Sequence, residues 1–216
     1  MEVVWCGWYR RKFFSDKGIA ARDRLADAAR AGDWDVVFEV AARERSVNTV
    51  RVGGSSGFAP LHQAAWHGAP EPVVERLLEL GAWRTLRTAD GDTAADVAAA
   101  RGNDQLSALL TPRLVREVDA SVLAQLECQL HAVILGRVLD LCRACGFRPP
   151  PLSPLLEYPD ETMWAAIPGF YGGFAIELVA GADELDVSSW CRVAGGSGQR
   201  HRVRPDGFEL VEEGFV

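Results

Sequence analysis

Four side chains stand at a spacing that could hold a metal ion: Cys128-x-x-His131, ten residues, then Cys142-x-x-Cys145. Two paired ligands set apart this way resemble the sequence of a tetrahedral zinc site. The surrounding pattern argues for a different structure. Asp119 is a suitable N-cap, and Leu123, Leu126, Leu130, Ile134, Val138, Leu141 and Cys145 then recur at three and four, one apolar stripe on a helix running to about residue 144. On a continuous helix rising about 1.5 Å per residue, His131 and Cys142 would lie about 16 Å apart. Ligands of one zinc must lie within about 4 Å of each other. The cysteines therefore read as part of the stripe, and no metal or cofactor is expected.

Other constellations are weaker. A hydrolytic arrangement would need Ser188 or Ser189, His201 and Asp186, with no nucleophile elbow to bring them together. Gly195-Gly196-Ser197-Gly198 lacks the Gly-Lys-Ser/Thr ending of a phosphate loop and leads into a β-like run, so it reads as a hairpin turn. Arg200, Arg202 and Arg204 alternate and share one face of a strand. That face is either solvated and paired with the abundant acids, or an anion site, since arginine matches carboxylate and phosphate. Trp164, Tyr171, Trp190, Arg200, His201 and Arg202 are the candidates for a small-molecule or anion site in this region. No catalytic residue is assigned.

The elements that must position these groups begin with an internal repeat. Gly57-Phe58-Ala59-Pro60-Leu61-His62-Gln63-Ala64-Ala65 reads as a turn feeding a short helix that ends at Gly68. A second helix carries Val73, Val74, Leu77, Leu78 and Leu80, and Gly81-Ala82 closes it before an extended tip. Gly91-Asp92-Thr93-Ala94 restarts the cycle 34 residues after Gly57, and Gly102 follows Gly68 by 34. Upstream, Leu25 and Gly32 precede Leu61 and Gly68 by 36 residues each. The period and the A-P-L-H-Q-A-A…G…VV…LL…GA pattern resemble the ankyrin repeat. That resemblance implies a stack of about three units whose concave face binds a protein partner. It gives Gln63, Trp66, His67, Arg87, Ala89, Asp90 and Asp92 as contact positions, with Arg84 on the same tip, and gives His62 a structural role in bonding the turns. Trp66 either anchors a partner or packs against the N-terminal strap.

The remaining segments are of other kinds. Residues 1–21 interleave aromatics with cations, from Trp5 to Phe14, and read as a strap or cap over the repeats, or else as a nucleic-acid or membrane-surface arm. Residues 22–112 hold the repeats. Residues 113–157 hold the long helix, expected to bridge to the last repeat and cover Leu106, Leu109 and Leu110, and an extended Pro-rich connector after Gly146. Residues 158–216 alternate β-like runs with turn chemistry such as Pro205-Asp206-Gly207 and predict a small antiparallel sheet of four or five strands. The expected fold class is α+β: a short ankyrin-repeat solenoid, a long bridging helix and a small antiparallel β domain.

Composition narrows the function. A net charge of −7 argues against general nucleic-acid binding, although residues 1–24 carry six Lys or Arg against three Asp or Glu. No apolar run reads as the ~20 residues of a membrane span, so neither nucleic acid nor membrane is expected as a partner. Five cysteines without framework spacing suit a reducing compartment, and the expected location is cytoplasmic. The function expected is non-catalytic recognition of a protein. The alternative is a ligand-binding, even enzymatic, β domain with the repeats as its targeting arm.

Overall fold

The computed structural model describes residues 3–7, 9–158, 161–192 and 196–214. The fold class is α+β, with eight helices and a six-stranded mixed sheet among the described residues. The chain divides into two compact units, Arg10–Arg113 and Met1–Tyr9 with Leu114–Val216.

The first unit is three helix pairs: α1 (Asp16–Ala31) with α2 (Trp34–Glu44), α3 (Pro60–His67) with α4 (Glu71–Glu79), and α5 (Ala94–Ala100) with α6 (Asp104–Leu110). The local causes recur. Ser15, Asp33, Thr93 and Asn103 cap their helices by accepting from backbone N–H groups of the first turn. Gly32, Gly68 and Gly102 take φ of 76°, 61° and 74°, the left-handed conformation that lets the chain reverse after the first helix of each pair. At each reversal the same bond forms: Asp33 N–H to Ala28 C=O, Ala69 N–H to Ala64 C=O, and Asn103 N–H to Ala98 C=O. The sequence period is thus also a period of backbone hydrogen bonds. α1 packs on α3 and α3 on α5, so small side chains (Ala28, Ala29, Ala64, Ala65, Ala94, Ala98) line the helix contacts, while Leu25, Leu61, Val74 and Leu77 fill the interior.

One expectation changes here. The expected cap over residues 1–21 is divided: the helix starts at Asp16, while Val3–Trp5 forms β1, a strand of the other unit. Leu106 and Leu110 are buried in the core of the first unit and Leu109 packs against it, with α6 against α5.

In that other unit the sheet runs β1 (Val3–Trp5), β2 (Met163–Ile167), β3 (Gly172–Leu178), β4 (Leu185–Cys191), β5 (Ser197–Arg204), β6 (Gly207–Gly214), in that order. β2 to β6 are the expected antiparallel meander. β1 lies parallel to β2, with Val3 opposite Met163 and Trp5 opposite Ala165, so the sheet is mixed and six-stranded instead of wholly antiparallel. Trp5 Nε1 donates to Arg148 C=O at 2.7 Å, Tyr9 stacks on Phe147, and its hydroxyl donates to Ala166 C=O. The aromatics at 5 and 9 therefore have structural partners. Trp8 lies outside the described residues.

The long helix α7 (Ala120–Cys145), capped by Asp119, packs on β5 and β6. Leu126, Leu130, Val133, Ile134, Val138, Cys142 and Cys145 are its buried stripe. Val138 leaves helical geometry (φ −139°, ψ 31°), a kink two residues after Gly136. By length and composition alone α7 is apolar enough to cross a membrane, so it is the exception to the expected absence of such a run. The Pro-rich connector folds back along α7. His131 Nε2 bonds Pro150 C=O at 3.0 Å, and Leu152 N–H donates to Glu127 at 2.9 Å. A short helix α8 (Pro154–Glu157) follows the connector, and Leu152, Leu155 and Leu156 are buried in the core.

Candidate functional site

In the helical unit, α1, α3 and the loop after Arg51 enclose an open cleft of about 510 Å³. Gln63, Trp66 and His67 line it together with Arg30, Arg51 and Phe58. These three predicted contact residues sit at neighbouring positions of α3, facing the cleft because Leu61, Ala64 and Ala65 occupy the core side. Trp66 is 47% exposed, yet its ring is placed: the Arg101 guanidinium lies 4.4 Å from its centroid and Phe58 meets it edge-on at 6.2 Å. His67 bonds Arg30 C=O at 2.9 Å and meets Trp34 edge-on.

The other predicted contacts belong to the tip between α4 and α5. Thr88 N–H donates to Asp92 C=O at 2.9 Å, and Arg87 donates to Gly91 C=O at 2.6 Å, closing a tight turn that exposes Ala89, Asp90 and Asp92. Ala89 N–H donates to Ser56 C=O, which sets this tip beside the cleft's loop. Arg84 is half-buried and reaches Leu109 C=O at 3.4 Å, so it stands apart from the rest of the set. His62 is buried. Its Nδ1 accepts from Ala59 N–H at 3.2 Å, which leaves Nε2–H to donate to Leu86 C=O at 3.0 Å. Burial lowers its pKa to about 4, so it stays neutral and joins the helix start to the tip.

The candidate ligand residues of the sheet do not converge on one place. Trp164 and Trp190 stack at 4.5 Å on the outer face. Arg200, Arg202 and Arg204 share that face, and all three are ion-paired: Arg200 with Asp186, and Arg202 and Arg204 with Glu184 and Glu209. The free anion site that these arginines could have formed is occupied by carboxylates of β4, β6 and the turn before β4. Tyr171, 72% exposed, stands on the β2–β3 turn. His201, odd in register against Arg200 and Arg202, points to the opposite face, towards α7. The same alternation separates Asp186 and Ser188 from Ser189 and His201, so no Ser-His-Asp arrangement can form there. Val193, Ala194 and Gly195, where the glycine loop begins, lie outside the described residues; Ser197 is already in β5.

On the α7 side, His201 lines a second open cleft, of about 500 Å³, with Arg137, Ser197, Gln199, Phe170 and Phe208. Sequence reading missed Arg137 and Phe170. The only signal was an arginine beside Gly136 on an otherwise apolar helix.

The cysteine and histidine quartet does not assemble. Among the described residues no group of three or more His, Cys, Asp or Glu side chains gathers as a metal site. Cys128 is exposed, the His131 ring is engaged by Pro150, and Cys142 and Cys145 are buried. Burial, with a smaller contribution from Cys145, raises the Cys142 thiol to about 11.

No family model matches the chain, and none of the curated proteins matches it.

Proposed function

We propose that residues 10–113 are a short ankyrin-repeat stack of three units, and that this protein is a non-catalytic recognition module whose concave face binds a protein partner. The observation that carries the reading is the cleft beside α3, where Trp66 is held half-exposed by Arg101 and Phe58. An aromatic ring fixed before binding loses little conformational freedom when a partner side chain packs on it, which is how anchor residues dominate interface energetics. The repeated glycine reversals at Gly32, Gly68 and Gly102, with the same hydrogen bond at each, support the repeat assignment. A buried neutral His62 joining Ala59 to Leu86 supports it too, as the resemblance gives that histidine the same task.

The contact set is Gln63, Trp66, His67, Arg87, Ala89, Asp90 and Asp92. The partner presents an apolar side chain to Trp66 and Phe58, with polar groups for the tip. A cytoplasmic setting belongs to the same reading, supported by five cysteines without a disulfide framework. The test is capture from lysate of the source cell with wild type beside Trp66→Ala/Arg87→Glu. The double variant is expected to lose the captured protein with its melting temperature within a few degrees of wild type. If every captured protein survives the double change, the cleft is not the site.

A further inference from the structure

The cleft beside α3 lies where three helix ends meet. Gly32, Gly68 and Gly102 stop α1, α3 and α5 at equivalent places, and α1 packs on α3 as α3 packs on α5. Arg30 and Trp66 each stand two residues before the glycine of their own unit, and Arg101 stands one before Gly102. The result is a row of cation, indole and cation. The His67 ring bonds Arg30 C=O at 2.9 Å, which ties the first two helix ends together. The Arg101 guanidinium, 4.4 Å from the Trp66 centroid, ties the second to the third.

The charge of this row is of one sign. Arg30, Arg51, Ser55, Ser56, Gln63 and His67 are the polar side chains lining the cleft, all able to donate a hydrogen bond, and no Asp or Glu lines it among the described residues. Arg11, Arg24, Arg43 and Arg76 of the same unit meet carboxylates, and Arg51 is held by Asp23 and Asp27. Arg30 and Arg101 are exposed, and neither has an ion pair among the described residues. A surface of donors and unneutralised guanidinium groups around an apolar pair, Phe58 and Trp66, selects its ligand by charge as well as by shape.

We propose that the partner enters this cleft as an acidic peptide segment: an aromatic or large aliphatic side chain packs on Trp66 and Phe58, and flanking carboxylates accept from Arg30 and Arg101. The inference rests on the recognition role given to the cleft above and adds the chemistry of what is recognised. Nucleic acid shares the negative charge but fits less well. The chain carries a net charge of −7, and the exposed Asp90 and Asp92 stand on the tip that Ala89 ties to the cleft's loop. A polyphosphate would have to pass those carboxylates, whereas a peptide can confine its acids to the arginine side.

The test is selection of random phage-displayed peptides on the full-length protein at low ionic strength. Enriched peptides are then synthesised and titrated against wild type, Trp66→Ala and Arg30→Glu/Arg101→Glu, with a single-stranded oligonucleotide titrated in parallel. The expected peptides are net acidic, carry an aromatic or large aliphatic residue, and lose binding to Trp66→Ala. The double reversal is expected to weaken them about tenfold or more, the usual effect of losing a charge-assisted hydrogen bond. If the double variant fails to fold, Arg30→Glu alone is read in the same way, since Arg30 does not support the Trp66 ring. Trp66-dependent peptides that are neutral or basic overturn the acidic partner and leave recognition at the cleft standing. Acidic peptides indifferent to the arginine reversals overturn it too. If no enriched peptide depends on Trp66, the recognition reading falls together with this one. Oligonucleotide binding that the reversals abolish, with no acidic peptide enriched, assigns the cleft to nucleic acid and overturns the proposal.

Discussion

Trp164 and Trp190 stack face to face across β3, their ring centroids 4.5 Å apart, although the strands that carry them are not neighbours. They meet because Gly173 lies between them in register, opposite Trp190 and Ala166. A Cβ at Gly173 would stand 2.8 Å from Trp164 Cζ2 and would press into the Ala165 carbonyl oxygen. Gly173→Ala is therefore expected to destabilise the sheet unit by about 2–3 kcal/mol, the scale of an overpacked core site. Trp164→Phe should lower stability by about 1 kcal/mol and remove the exciton signature of the indole pair from the far-ultraviolet circular dichroism. Urea melts of the two variants check both values, and an unchanged midpoint for Gly173→Ala would contradict the close approach.

His62 makes stability depend on pH. Its folded pKa is about 4 against 6.5 unfolded, because burial excludes the imidazolium. The unfolded chain thus binds a proton at this residue that the folded chain refuses between those values. This contribution is fully present above pH 6.5, is lost progressively on acidification, and changes no further below pH 4. The full loss is about 3 kcal/mol. In denaturant melts from pH 7 to 5, the slope for wild type should exceed that of His62→Gln. Equal slopes would mean that His62 protonates in the folded state.

Arg116 is expected to hold the turn after β3. Its guanidinium donates to Leu178 C=O at 3.3 Å and Val179 C=O at 2.5 Å, and also to Ala182 C=O. Losing several charge-assisted bonds, Arg116→Ala should cost about 2 kcal/mol and speed amide hydrogen exchange across residues 179–184. The exposed Arg113→Ala serves as control and should change neither.

The thiols differ in reactivity by burial. Cys142, raised to about 11, is thiolate in only about one molecule in a thousand at pH 8, and it is buried as well. Alkylation by iodoacetamide at pH 8 should label Cys128 in the native protein, with Cys142 and Cys145 labelled only after denaturation. Rapid native labelling of Cys142 would show that the C-terminal part of α7 opens.

Residues 10–113 should fold without the rest of the chain. Leu106 and Leu110 belong to one buried core with residues of all three helix pairs, and that core is what the fragment would rely on. A fragment of these residues is expected to melt in one sharp transition, with helical circular dichroism before it. A molten fragment, with helicity but no cooperative melt, would show that the unit's core is insufficient.

What the sequence determined by itself was whatever a local pattern encodes. The spacing of Leu25, Leu61, Gly32, Gly68 and Gly102 specified helix pairs and their reversals, since glycine at positive φ and a 3.6-residue apolar period act within a few residues of chain. Asp119 marked the start of α7, and Pro205-Asp206-Gly207 marked the β5–β6 hairpin, for the same reason. Alternation placed Arg200, Arg202 and Arg204 on one face. Tertiary structure alone decided the long-range matters. Val3–Trp5 became a strand because β2 offered a free edge some 160 residues away in the chain, and an edge satisfies any extended backbone whatever its side chains. The apolar stripe of α7 was legible but its partner was not, because a hydrophobic face states how much it must bury and not against what. Pairing of the β5 arginines with acids was one expectation, but the sheet alone decided which acids they met: Asp186 of β4, Glu184 just before it and Glu209 of β6. Arg137 and His201, 64 residues apart in sequence, came to line one cleft only because α7 packs on β5.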